Sequence, residues 1–111
     1  MSTIFGKIIA GEMPAEIVFE DDKVIAIKDI NPQAPVHLLI MPKEEFKDIQ
    51  SVPEEKLSIL SHIVKTAQKL AKEHGVEKGY RLLTNNGEPA GQTVFHLHFH
   101  LLGGRDLGAL G

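Results

Sequence analysis

Apolar positions along this chain switch between two periods, and the switches delimit its elements. From residue 3 to residue 11, Ile4, Phe5, Ile8 and Ile9 recur at helical spacing until Gly11, which predicts one short helix. Residues 16–20 and 23–29 are β-branched and aromatic runs separated by Asp21 and Asp22, the pattern of a tight hairpin. The stretch Asn31-Pro32-Gln33-Ala34-Pro35 cannot continue a ladder, because each proline lacks an N–H, so it reads as a loop. Residues 36–41 form a third strand, closed by Pro42.

The longest periodic segment starts at Ser51, where Ser51-Val52-Pro53-Glu54 fits a capping box with proline tolerated in the first turn. Leu57, Leu60, Val64, Ala67 and Ala71 then repeat at intervals of three and four, with Ile63 and Leu70 alongside, until Gly75 ends the pattern. Such a helix would run for about 34 Å, enough to cross a whole sheet. Residues 79–85 and 94–102 read as fourth and fifth strands joined by a polar loop that contains Gly and Pro. Strands grouped on either side of one helix predict an antiparallel α+β domain: a five-stranded sheet with its helices on one face.

Composition narrows the function. The 111 residues are the size of a single domain spanning 1–111, and 42% hydrophobic residues can supply an ordinary core. The absence of cysteine excludes disulfides, thiolate metal sites, iron–sulfur clusters and cysteine nucleophiles, and makes a cytoplasmic location the default expectation. The opening residues lack a charged region followed by a long apolar one, and no run approaches the roughly 18 apolar residues of a membrane span, so a soluble protein without a membrane partner is expected. A net charge of -3 argues against a nucleic-acid surface and leaves room for a small phosphate ligand.

Three of the six histidines fall together in His96-Leu97-His98-Phe99-His100. On a strand, alternation places the three imidazoles on one face and Leu97, Phe99 and Leu101 on the core face. His62 and His74, on the helix, read as ordinary structural or exposed residues. A zinc site is one alternative, but His96 and His100 would lie about 13 Å apart on an extended strand, too far to share one ion. Zinc would need two of the three and a third ligand such as His37. An extended phosphate ester fits better, since each imidazole can touch a different part of it. Two imidazolium groups about 7 Å apart would repel by roughly 2 kcal/mol, so at least one ring is expected neutral and one is available to carry charge. Neutral imidazole can attack phosphorus without prior deprotonation, and His98, flanked on both sides, is the candidate nucleophile.

At these residues the sequence resembles the histidine triad superfamily, in its branch of small histidine triad nucleotide-binding proteins, which are nucleoside phosphoramidate hydrolases. GQTVFHLHFHLLGGR at 91–105 carries that family's His-φ-His-φ-His-φ-φ motif with its Gly-Gly-Arg sequel. The blocks TIFGKIIAGEMPA at 3–15, DINPQAPVHLLIMPK at 29–43 and KGYRLLTNNG at 78–87 are also similar. The resemblance implies a five-stranded antiparallel sheet with two helices, and a homodimer whose two sheets form a continuous ten-stranded sheet. It further implies that His98 forms a nucleotidyl-histidine without a metal or other cofactor. His100, Gln92 and Thr93 would contact the phosphate and leaving group, with Gly91 giving the backbone freedom to turn and Asn85 beside the phosphate. His37 and His96 would support the imidazole cluster, Asp29 would accept the ribose hydroxyls, and Phe5, Ile8 and Ile30 would line a purine slot. Read without the resemblance, Phe5 and Ile8 are more often plain core, Asp29 before Asn31-Pro32 equally stabilises a turn, and His37 is equally a hydrogen-bonded core histidine. Thr93 has the opposite strand parity to the ladder and reaches the site only if the chain turns before Val94. Two departures stand out: Thr93 replaces the branch's common serine, and residues 106–111 lack the Trp-Pro-Pro segment found near the site in many relatives.

The function expected from these residues is hydrolysis of a purine nucleoside 5′-phosphoramidate, such as an AMP-amine, through a covalent intermediate on His98. The alternative is a purine nucleotide-binding interaction module whose catalysis is vestigial.

Overall fold

Thr3 starts the first helix, its hydroxyl accepting the Gly6 N–H at 3.0 Å, and α1 runs Ile4–Ile9 before Gly11 turns the chain at a φ of 78°. The computed structural model describes residues 3–110; Met1, Ser2 and Gly111 lie outside the described residues. The strands β1 (Ile17–Glu20), β2 (Val24–Lys28), β3 (Val36–Pro42), β4 (Tyr80–Leu83) and β5 (Phe99–Gly103) form one sheet in the order β1-β2-β3-β5-β4. Every neighbouring pair is antiparallel, as the grouping of strands predicts. Asp21 makes the β1–β2 turn tight, because its Oδ1 accepts the N–H groups of both Lys23 and Val24 at 2.8 Å.

Strand alternation builds two cores. Val24, Ala26, Leu38, Ile40 and Leu101 face the helix α2 (Ser58–Glu73) and pack on its Ile63, Ala67, Leu70 and Ala71. Ile25, Ile27, Leu39 and Met41 point the other way and pack on Phe5 and Ile8 of α1. The two helices therefore lie on opposite faces, which corrects the expectation of helices on one face. The reason is in β2 and β3, whose residues are buried on both sides and so need a cover on each.

Two further boundaries differ. The helix does not begin at a Ser51 capping box: Asp48 caps a 3-10 turn over Ile49–Ser51, a second such turn covers Glu54–Lys56, and α2 itself is 16 residues, about 24 Å long. Val52 is drawn out of helical register because it is buried with Phe46 and Leu97 in a third small cluster. The fifth strand starts at Phe99, not at residue 94. Upstream of it the Leu97 N–H donates to the Phe46 carbonyl at 2.7 Å, which pulls the chain off the ladder. Among the described residues no helix is long and apolar enough to cross a membrane.

Leu101 is fully buried at the centre of the larger core, between β5 and α2. Leu101→Ala is expected to lower unfolding free energy by about 2–5 kcal/mol, read from urea denaturation.

Candidate active site

The face of the sheet that carries α1 also carries the imidazoles. In the β3–β5 register Leu39 pairs with His100 and His37 with Leu102, so His37 and His100 are diagonal neighbours on one face. Their rings lie 5.2 Å apart, and His98, just before β5, stands 5.2 Å from His100. The Phe5 ring of α1 meets the His98 imidazole edge-on at 4.8 Å.

Hydrogen-bond partners assign the proton on each ring. His98 Nδ1–H donates to the His96 carbonyl at 2.7 Å, which leaves the lone pair on Nε2. That nitrogen has no protein hydrogen-bond partner among the described residues and is not sealed from solvent. His37 Nδ1 accepts the Gln33 backbone N–H at 3.0 Å, so the His37 proton sits on Nε2 and is donated to His100 Nδ1 at 2.9 Å. His100 consequently carries its own proton on Nε2. Asp29 steadies this direction, its Oδ2 lying 3.3 Å from His37 Nε2 while its Oδ1 accepts the Asn31 N–H at 2.8 Å. Asp29 thus holds a turn and a histidine at once.

Burial makes the cluster uncharged. Desolvation pulls His98 and His37 below the ordinary histidine value of 6.5, against the nearby Asp29 charge. In His98 the bond to the His96 carbonyl also opposes the fall. His100 is lowered furthest, to about 4, by burial first and then by its neighbours His98 and His37. The expectation of one charged ring beside a neutral one is therefore corrected: all three are neutral near pH 7, because burial acts on each of them.

His96 does not join the triad's face. It is 0% exposed, its Nε2–H donates to the Pro42 carbonyl at 2.8 Å, and its Nδ1 is a buried acceptor without a partner. What His96 gives the site is its carbonyl, which fixes the His98 tautomer. Its predicted place beside the other two imidazoles fails because residues 96–98 precede the strand and do not alternate. Gln92 is corrected likewise, since its carboxamide is spent within the protein. Nε2 donates to the Lys47 and Val94 carbonyls at 2.8 and 3.1 Å, and Oε1 accepts the Gly87 N–H at 2.7 Å. Gln92 shapes the 87–92 loop. Gly91 turns that loop at a φ of 104°, and Asn85 Nδ2 lies 3.8 Å from where a Cβ on Gly91 would stand. Thr93 follows the turn and is exposed. Phe5 and Ile8 are buried core of the α1 face, while Ile30 is 94% exposed.

Thr84 went unnoticed in the sequence. Its hydroxyl donates to the His98 carbonyl at 2.7 Å, one residue beyond the last β4–β5 pair, and so extends the ladder by a side chain. Nothing separates it in the sequence from any β-branched strand residue.

Asp29, His37 and His100 each offer a ligand atom, all within 4.8 Å of one another. It differs from the zinc set expected from the sequence, two of His96, His98 and His100 with a third ligand such as His37: only one of those three takes part, and a carboxylate completes the group. In the assigned network His37 Nε2 bears a proton and His100 Nδ1 accepts it, so a cation would have to displace that proton. A cleft of about 170 Å³ lined by Asp29, His37, Pro32 and Pro35 adjoins the cluster. A larger one of about 540 Å³, between α2 and the β2 and β3 ends, contains none of these imidazoles and is edged by lysines and carboxylates.

A histidine held neutral below its usual value favours the fold at high pH: the contribution is complete above 6.5 and is lost as pH falls toward about 4, because the unfolded chain takes up the proton first. Stability should therefore decline through that window, and ¹⁵N NMR titration of the imidazoles should place His100 near 4 and His98 below 6.5.

The HIT domain family model matches residues 10–107. A HIT-like protein of Chlamydia pneumoniae is 51% identical over 108 residues, 97% of this chain and 98% of its own. The structure of a HIT family hydrolase from Clostridium thermocellum superposes with a TM-score of 0.93 at 56% identity, covering 97% of this chain and 95% of that one. A histidine triad protein from Clostridium difficile gives 0.95 at 42% identity, covering 100% and 97%. With the motif in the sequence, His98 and His100 on the sheet's α1 face and these relatives alongside, the chain belongs to the HIT superfamily, in the branch of small histidine triad nucleotide-binding proteins.

Proposed function

We propose that this protein is a HIT hydrolase that cleaves purine nucleoside 5′-phosphoramidates through a covalent nucleotidyl-histidine on His98. The observation that carries the reading is the locked His98 tautomer: Nδ1–H is tied to the His96 carbonyl, and the Nε2 lone pair is left unshared in an uncharged cluster. Nε2 attacks phosphorus, the P–N bond breaks, and the amine leaves after taking a proton from solvent. As the His98 ring gains positive charge, its Nδ1–H bond to the carbonyl strengthens, which favours the intermediate over the free enzyme. His100 Nε2–H donates to a non-bridging phosphoryl oxygen. Water then attacks phosphorus and gives a proton back to solvent, the N–P bond to His98 breaks with its electron pair returning to Nε2, and the nucleoside monophosphate departs with the ring neutral again.

In this reading Asn85 and Thr93 border the phosphate across the Gly91 turn, and Gln92 holds that loop in shape. Asp29 takes the ribose hydroxyls with carboxylate lone pairs left over from the turn. Phe5, Ile8 and exposed Ile30 flank the purine. The hydrolase names of the Clostridium thermocellum structure and of one from Legionella pneumophila, 46% identical with a TM-score of 0.92, support the reaction class.

Two copies are proposed to pair through β4, an edge strand of the sheet, with α2, where Val64 and, just before the helix, Leu57 are each 42% exposed. Light scattering should then give about twice the 12.2 kDa chain mass, and a mass of one chain would refute the pairing.

With an AMP-amine substrate, intact mass after neutral quenching should reveal a nucleotidyl adduct. His98→Ala should form none and lose activity by roughly 10⁴-fold or more. Adduct formation and turnover should survive exhaustive chelation. Wild-type turnover no faster than buffer, with AMP still bound, would instead make the protein a binding module.

A further inference from the structure

The Gly-Gly-Arg sequel of the histidine motif is exposed at its arginine, yet it is built against the loop behind the site. Gly103 packs so closely on Val76 that a Cβ would stand 2.9 Å from the valine's Cβ. Gly104 has a φ of 94°, and a Cβ there would stand 2.9 Å from Pro35 Cβ. The chain can lie this close to Val76 on one side and to Pro35 of the loop on the other only because Gly103 and Gly104 lack side chains. Arg105 then reaches back along the loop. Its Nε and Nη2 donate to the Gln33 carbonyl at 3.2 and 2.9 Å, and its Nη1 donates to the Asp106 carbonyl at 2.7 Å.

Gln33 is the residue whose backbone N–H donates to His37 Nδ1. Arg105 and His37 thus sit on either side of one loop residue, the guanidinium on its carbonyl and the imidazole on its N–H. Beyond His37 the chain of donors continues to His100 Nδ1. Two imidazoles joined by a single hydrogen bond can run in either direction. If the Gln33 N–H moved away, His37 could take its proton on Nδ1 and accept from His100 Nδ1–H. His100 would then present a bare Nε2 lone pair, an acceptor, to the site. A phosphoryl oxygen carries only lone pairs, so the reversed pair would repel what the observed pair binds.

We propose that Gly104 and Arg105 form a latch on Gln33 that sets the direction of the His37–His100 hydrogen bond, making Arg105 a positioning residue that keeps His100 Nε2–H presented to the substrate phosphate. The role assigned to that phosphate rests on the function proposed above, whereas the tautomers can be read without any substrate. Asp29 favours the same direction, so losing the latch weakens the preference and does not abolish it.

The experiment is two-bond ¹H–¹⁵N NMR of the imidazoles at pH 7 in wild type, Arg105→Ala, Arg105→Lys and Gln33→Pro, beside kcat and KM for an AMP-amine. Wild type should show Nε2–H on His37 and His100 and Nδ1–H on His98. Arg105→Ala should convert His37 and His100 to mixed tautomers while His98, held by the His96 carbonyl, stays unchanged as an internal control. kcat should fall roughly fivefold, the scale of one net hydrogen bond. Arg105→Lys, which keeps a donor, should recover part of the wild-type pattern. Gln33→Pro, which deletes the N–H itself, should give the same imidazole signature with Arg105 intact. If His37 and His100 keep a single Nε2–H tautomer in both Arg105→Ala and Gln33→Pro, the latch is wrong, whatever the activity. If the tautomers shift but wild type neither forms an adduct nor turns over, the latch stands and the proposed reaction falls.

Discussion

The register between β3 and β5 is the constraint from which the site follows. Leu39 opposite His100 puts His37 and His100 on the α1 face, and it puts Leu38 and Leu101 on the α2 face in the same step. A slip by one residue would send His100 into the apolar core and Leu101 toward the ligand side. The larger core and the imidazole cluster therefore fix one another. Burial of Leu38, Leu101 and Ile40 against α2 is worth about 2 kcal/mol each by transfer arithmetic, and that apolar gain holds the register which a polar cluster could not hold alone. The site is a by-product of strand alternation across a sheet covered on both sides.

Burying three imidazoles side by side is tolerable because they stay neutral. An imidazolium in this place would lose hydration, whereas neutral rings can stand in line, with one hydrogen bond joining His37 to His100. Two of the rings are oriented by a main-chain group, His37 by the Gln33 N–H and His98 by the His96 carbonyl, and His100 is oriented through His37. Backbone atoms make good anchors for this purpose, because they do not titrate and they move only with the fold. Asp29 adds one negative charge at the end of the line, and it raises the affinity of all three rings for protons without overcoming burial.

Alternation, breaker residues and one motif made much of this legible in the sequence. The hairpin at Asp21, the loop of Asn31 to Pro35 and the helix stop at Gly75 follow from local chemistry that tertiary packing did not override, whereas His37 joins His98 and His100 through the β3–β5 pairing and was legible through the family resemblance. The failures share a cause. Val52 looks like part of a helix and His96 like part of a strand, but each is bound to a partner distant in the chain: Val52 to the Phe46 and Leu97 cluster, His96 to the Pro42 carbonyl. Periodicity describes a residue's neighbours along the chain and carries no information about such partners. The role that the resemblance implies for Gln92 fails on the same ground, because its carboxamide has three partners inside the protein, two of them distant in the chain or across the loop.

The two ends of the imidazole line differ in how firmly they are held, and the difference matters for chemistry. His98 is held at Nδ1 by the carbonyl of a residue only two positions away, within a segment pinned by the buried His96 ring and by Thr84. The nucleophile's tautomer is thus a local property of residues 84 and 96–98. His100 depends instead on a relay through His37 to the loop at Gln33, a segment that lies between two prolines and outside any ladder. Attack on phosphorus and grip on its oxygens therefore rest on separate pieces of the fold. A change in the Asn31 to Pro35 loop can alter how phosphate is held while leaving the attacking nitrogen as it was, so binding and bond-making can be tuned independently in this scaffold.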